Sequence, residues 1–179
     1  MSAVTGGPVP QRSDDPDRDE ADADPVEIAR EIALRRLEQR DYSRGELSEY
    51  LVRRRGCDQG VADELLDRLE AVGLVDDRRF ALAWAQSRRR SRKLSLSAIA
   101  RELQAKRVSA EIIAETLSAS DQDGEAETAL ALARSKARAM RGLDRPIAYR
   151  RLAAALARRG YAPSVSFDAV DRALAELDD

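Results

Sequence analysis

Two apolar residues four apart, then a run of arginine or lysine, then a short turn: this pattern occurs three times in the chain at nearly even spacing. Leu47 and Leu51 lead into Arg53-Arg54-Arg55 and Gly56, Ile99 and Leu103 into Lys106-Arg107 and Val108, and Leu152 and Leu156 into Arg158-Arg159 and Gly160. The offsets between units are 52 and then 52 or 53 residues. A further apolar pair follows each turn, Leu65/Leu69, Ile112/Leu117 and Val170/Leu174. Spacings of three and four place side chains on one stripe of an α-helix, and the same spacing recurs in Ile28, Ile32, Leu34 and Leu37 and in Phe80 and Trp84. Strand-like alternation is absent, and Ala, Leu, Arg and Glu, all good helix formers, dominate. Self-similarity at a fixed period predicts stacked repeats, each of about 50 residues, because one such unit cannot bury its apolar face alone. The expected fold is all-α: three tandem three-helix, helix-turn-helix-like repeats over 26–75, 76–120 and 121–179, forming an elongated solenoid.

Residues that can offer a side-chain oxygen to the free amides of a first helical turn mark the helix starts. Ser43 with Glu46 has the spacing of a capping box, Asp58 starts a helix that Gly73 ends, and Asp76 or Asp77 opens the next. Ser97, Ser109, Asp123, Pro146 and Ser166 supply the later starts, for roughly nine helices of about 11 residues each.

Charge is segregated. The whole chain carries a net of −2, but residues 1–25 hold seven acids and two arginines, a net of −5, with almost nothing large and apolar. Burial there could not offset the entropy of ordering the backbone, so 1–25 is expected to be a disordered acidic tail. Residues 88–107 carry eight bases and only Glu102, a local +7, and 134–159 carry nine bases and only Asp144, a local +8. A charge run on a helix is often just a solvated face. Here arginine strongly outnumbers lysine, and the two runs fall in equivalent parts of repeats two and three, where stacking would align them. Such a stripe suits a nucleic-acid backbone or an acidic protein surface.

The same composition argues against catalysis. With no histidine there is no imidazole base and no histidine metal ligand, and a single cysteine, Cys57, makes neither an internal disulfide nor a cysteine-rich zinc site. Cys57 reads as a small buried hydrophobe. Phe80 and Trp84 read as core, and Tyr42, Tyr50, Tyr149 and Tyr161 as covers for the junctions between units. No calcium loop, phosphate-binding glycine pattern, signal segment or membrane span is visible, so no cofactor, metal or membrane is expected and the protein is placed in the cytoplasm.

Residues 73–108 carry a more specific signature: Gly73-Leu74-Val75-Asp76-Asp77-Arg78-Arg79-Phe80-Ala81, then Trp84, the basic run 88–93, and Ile99-Ala100-Arg101-Glu102-Leu103-Gln104-Ala105-Lys106. With Ala33-Leu34, Leu37, Arg40, Tyr42-Ser43 and Glu46-Leu47 upstream, this resembles the bacterial RecX family of RecA regulators, over about 26–177. The chain departs from the family pattern at Arg107-Val108, where a glycine usually precedes an aliphatic residue, and at Lys93-Leu94-Ser95-Leu96, where a glycine is frequent. The resemblance implies a non-catalytic, monomeric protein that lies along the groove of the RecA–single-stranded-DNA filament. It would inhibit the recombinase's ATP hydrolysis, strand exchange and co-protease activity, with direct contact to single- or double-stranded DNA in some members. On that reading the contact surface is Arg88, Arg89, Arg90, Arg92 and Lys93, then Arg101, Lys106 and Arg107. Two alternatives stay open: a stand-alone helical DNA-binding protein without a recombinase partner, and a scaffold that binds neither.

Overall fold

The computed structural model describes residues 24–118 and 122–178, apart from the side chains of 122, 123 and 178. Among the described residues there are nine α-helices and no strand. Repeat one comprises α1 (Pro25–Leu37), α2 (Arg44–Glu49) and α3 (Gln59–Ala71); repeat two, α4 (Asp77–Arg92), α5 (Leu96–Ala105) and α6 (Ala110–Ser118); repeat three, α7 (Gln122–Ala137), α8 (Arg145–Ala157) and α9 (Pro163–Asp178). In each unit the first helix packs against the third and the middle helix closes the triangle. Each has its own core: Leu47, Leu51, Leu65 and Leu66 in the first, Phe80, Ile99, Leu103 and Ile113 in the second, Leu130, Leu152, Leu156 and Val170 in the third. The acidic tail expected over 1–25 lies outside the described residues except at its end, where Asp24 caps α1 and Pro25 fills its first position.

Most of the expected caps form. Ser43 and Glu46 make the reciprocal capping box, Asp58 accepts from Gly60 and Val61, Asp76 accepts from Arg79, and Ser109 accepts from Ile112. Three starts differ. Ser95, not Ser97, caps α5, which frees the Ser97 hydroxyl to donate to the Gly160 carbonyl of the next repeat. Ser166 lies inside α9, which already begins at Pro163, and is buried there. Helix α7 starts at Gln122, one residue ahead of Asp123, whose side chain is outside those described.

The repeat register also shifts by one residue. The left-handed turn that closes each middle helix falls at Gly56 (φ 73°), Arg107 (φ 60°) and Gly160 (φ 88°), so Gly56 corresponds to Arg107 rather than to Val108. The cause is a π-helical turn, Tyr50–Arg54, that continues α2 and holds one extra residue. The amides after the turns accordingly reach back six residues in repeat one, from Cys57 to Leu51, and five in the others, from Val108 to Leu103 and Tyr161 to Leu156. Cys57, expected to be buried, packs against the first core but is only half-buried there.

Cores of this size are individually small, so the contacts between repeats matter. Both junctions use the same surfaces: the capped start of one repeat's middle helix meets the closing turn of the next. At the first, the Ser43 hydroxyl donates to the Lys106 carbonyl, the Arg44 amide donates to Asp77, and Lys106 Nζ lies 2.9 Å from Glu46. At the second, the Ser95 amide donates to Arg159 O, the Leu96 amide to Glu125, and the Tyr161 hydroxyl to Lys93 O at 2.9 Å. Tyr161 thus covers a junction as expected, and burial pushes its phenol up to about 12 with a further contribution from Glu125.

Candidate functional site

The eight cations singled out from sequence divide according to their surroundings. Arg88 sits on the inner side of α4, where its Nε donates to Glu102 at 2.7 Å and its guanidinium lies 3.8 Å from the centre of the Trp84 ring. Glu102 also accepts from the Trp84 indole at 2.8 Å, and Phe80 stacks on Trp84, so Arg88 completes the half-buried edge of the second core. Lys106 has a side chain only 15% exposed, paired with Glu46 and 4.0 Å from the Trp84 ring. Arg107 grips Glu49 with two nitrogens, at 2.8 and 3.0 Å. Lys106 and Arg107 hold repeats one and two together, Arg88 ties α4 to α5 within repeat two, and all three charges are already matched.

Arg89 is intermediate, reaching across the second junction to the Thr128 hydroxyl at 3.2 Å. Arg90, Arg92 and Arg101 are exposed and make no side-chain hydrogen bond or ion pair among the described residues; the half-buried Lys93 ammonium makes none either. Arg92 is held in place through its backbone, since its carbonyl accepts from the Arg159 guanidinium and the C-terminal ends of α4 and α8 abut. Cations in a last helical turn are favoured by the partial negative charge of that end. That stabilises the arginines of α4 where they stand while leaving their guanidinium groups open to an anion.

Sequence reasoning noted the second basic run without choosing among its members; packing makes the choice. Arg134 is taken by Glu176, and Arg159 by Arg92. Lys136, Arg150, Arg151 and Arg158 instead converge on one cleft of about 430 Å³ between α7 and α8, floored by Met140, Ala154 and Ala155, with no carboxylate in its lining. These four cations have no ion pair among the described residues, and the two helices fix their spacing around an apolar floor, an arrangement whose chemistry suits an anion. Pairing takes Arg134 and Arg159 out of this set, and such pairing leaves no trace in a linear pattern.

The environment of Glu46 shows how firmly the other cations are engaged. Burial alone would raise its carboxyl, but hydrogen bonds from Arg40 and Lys106 outweigh that and hold it below the usual range. Among the described residues no group of acids and cysteine is arranged to hold a metal ion, and no helix is long and apolar enough to cross a membrane.

Three small helical units in tandem, joined by polar junctions, define an all-helical repeat protein. Models of the first, second and third three-helix domains of RecX match residues 29–69, 76–117 and 123–170. The regulatory protein RecX of Streptomyces coelicolor is 43% identical over 175 residues, covering 98% of this chain and 92% of that protein. That of Mycobacterium tuberculosis is 41% identical over 155 residues, covering 84% and 87%. The crystal structure of RecX from Lactobacillus salivarius superposes with a TM-score of 0.72 at 19% identity, over 87% of this chain and 98% of that one. The chain belongs to the RecX family of regulatory proteins.

Proposed function

We propose that this chain is a non-catalytic regulator that binds RecA and the RecA–single-stranded-DNA filament. By inhibiting the recombinase's ATP hydrolysis, strand exchange and co-protease activity, it modulates homologous recombination and the DNA-damage response. It acts as a cytoplasmic monomer. The observation that carries this reading is the placement of unmatched cations. Arg90, Arg92 and Lys93 lie at the second junction and Lys136, Arg150, Arg151 and Arg158 in the repeat-three cleft, on a chain of RecX membership. A tandem protein that touches successive filament subunits gains avidity from its own connectivity, so weak salt-sensitive contacts suffice. Lys106 and Arg107 serve this surface by joining repeats one and two, Arg88 by bracing repeat two, and Arg90, Arg92, Lys93 and Arg101 by contacting carboxylates or phosphates.

The test is single-stranded-DNA-dependent ATP hydrolysis by RecA of the same organism, titrated with this protein well below one copy per recombinase. Inhibition at those ratios supports a filament regulator, because competition for DNA would need enough protein to cover the strand. Unchanged hydrolysis at every ratio refutes it and leaves the stand-alone DNA-binding and scaffold readings.

A further inference from the structure

A second cationic cleft lies in repeat one, between the C-terminal end of α1 and the π-helical turn after α2. It encloses about 520 Å³, and its lining includes Arg36, Arg40, Tyr42, Tyr50, Arg53 and Arg54. Its own carboxylates, Glu46 and Glu49, are both bound by cations from repeat two, Lys106 and Arg107. Arg40 shares Glu46 and Arg53 stands 3.6 Å from Glu49, but Arg36 and Arg54 have no ion pair among the described residues. Arg36 is the more telling. Its guanidinium is held 5.0 and 4.5 Å from the centres of the Tyr42 and Tyr50 rings. None of its N–H donors meets an acceptor among the described residues, and its Nε is inaccessible to solvent as well. Two rings thus orient the fork in advance, which lowers the entropy that an incoming anion must overcome.

The donors select the anion. A single guanidinium fork satisfies both oxygens of a carboxylate, as Arg107 does with Glu49. Engaging Arg36 on α1 and Arg54 on the π-helical turn together takes an anion with a third oxygen and a second charge, which a terminal phosphate has and an internal phosphodiester lacks. Tyr50 adds a flat surface. It is half-buried and lines both this cleft and a smaller cavity of about 170 Å³ that shares Arg36 with it. Aromatic rings and guanidinium planes are the surfaces on which unpaired bases stack. The volume of the cleft also falls in the range of about 300–1,000 Å³ that accepts a small organic ligand. The arrangement is particular to repeat one, because Tyr50 and Arg54 open and close the π-helical turn whose extra residue the other two repeats do not have.

We propose that the repeat-one cleft binds the terminal phosphate of a nucleotide, with Arg36 and Arg54 gripping the phosphate and Tyr50 lying against the base. Two sources carry that group, a free nucleotide and the 5′-phosphorylated end of a strand. The site is separate from the cations of repeats two and three and does not rest on the regulator reading.

The experiment titrates the isotope-labelled full chain at low salt with ADP and, separately, with a short thymidine oligonucleotide bearing a 5′-phosphate. It follows the Arg36 Nε–H and the Tyr50 and Arg54 amide signals by NMR. Saturable shifts of these signals are the expected result; ADP acting alone identifies a free nucleotide as the source, and the oligonucleotide acting alone a strand end. Arg54→Ala, which removes an exposed side chain, should weaken binding about tenfold or more, the effect of one lost hydrogen bond to a charged group. Arg36→Lys, which keeps the charge but not the fork, should weaken it at least as much, with native amide dispersion checked in both variants. The proposal is overturned if neither probe moves the Arg36 Nε–H or if both variants bind as tightly as the parent. It is equally overturned if the same oligonucleotide with a 5′-hydroxyl, or a polyglutamate peptide, shifts these signals with equal affinity. The measurement contains no RecA, so failure here leaves the regulator reading standing, and failure of RecA inhibition leaves this one.

Discussion

Replacing Gly45 by alanine should loosen the first junction, and the structure sets the scale. A methyl built on Gly45 overlaps the Arg107 Cβ and falls 2.9 Å from the Arg107 carbonyl oxygen, where ordinary contact begins near 3.4 Å. Both atoms are fixed by backbone, so no rotamer change relieves the overlap, and α2 must move away from the 106–107 turn by roughly 1 Å to restore ordinary contact. Overpacking of this kind costs about 1–3 kcal/mol, and weakening the Ser43 to Lys106 hydrogen bond about 1 more, for a total of about 2–4 kcal/mol. Urea unfolding with linear extrapolation would read this as a lower midpoint at unchanged slope. Arg107→Gly removes the opposing Cβ and suits the left-handed backbone at 107. In that background Gly45→Ala should therefore cost less than half as much. A Gly45→Ala protein within about 0.5 kcal/mol of the parent, or equal costs in both backgrounds, would refute the close approach.

Acid stability should depend on Glu46. Its folded carboxyl titrates below the ordinary 4.5, so its stabilisation is complete above that value and is lost as pH falls through the folded pKa. The loss of melting temperature below about pH 4.5 should accordingly be smaller in Glu46→Gln than in the parent. Burial raises Asp77, with a smaller contribution from the Glu46 charge, so Asp77 acts in the opposite direction and slightly less so in Glu46→Gln. Absorbance titration at 295 nm should show one tyrosine ionising near 12 that disappears in Tyr161→Phe, with stability falling as pH rises from 10 toward that value. Trp84→Ala should cost about 2–3 kcal/mol, below the 3–5 of a fully buried tryptophan, because the ring is half-buried; a loss above that range in thermal unfolding would contradict the exposure. Neutralising Lys136, Arg150, Arg151 and Arg158 together should reduce the salt slope of single-stranded oligonucleotide binding by about 3, and an unchanged slope would remove that cleft from the binding surface.

Much of the fold was legible in the amino-acid order because it rests on local rules. The apolar pairs at Leu47/Leu51, Ile99/Leu103 and Leu152/Leu156 became the middle-helix contribution to three cores, and Ser43, Asp58, Asp76 and Ser109 capped the helices they precede. A helical period and a side-chain cap each depend on residues within one or two turns. The register of repeat one was not legible, since a π-helical turn at Tyr50–Arg54 looks like any other helix in a list of residues. Ser95 and Ser97 are equally good caps in isolation. Ser97 is drawn off by the Gly160 carbonyl, 63 positions away.

The candidate site divides the same way. Composition and charge order alone established a helical, histidine-free chain with an acidic start and two basic runs, because net charge is additive along a sequence. Which cations remain available is a pairwise property of the folded molecule. Arg88, Lys106 and Arg107 are matched by Glu102, Glu46 and Glu49 from other helices, Arg134 by Glu176, and Lys136, Arg150, Arg151 and Arg158 by none among the described residues. Two arginines with identical neighbours in sequence differ in function once one of them meets a carboxylate contributed from 42 or 58 residues away. Only tertiary packing sets those distances.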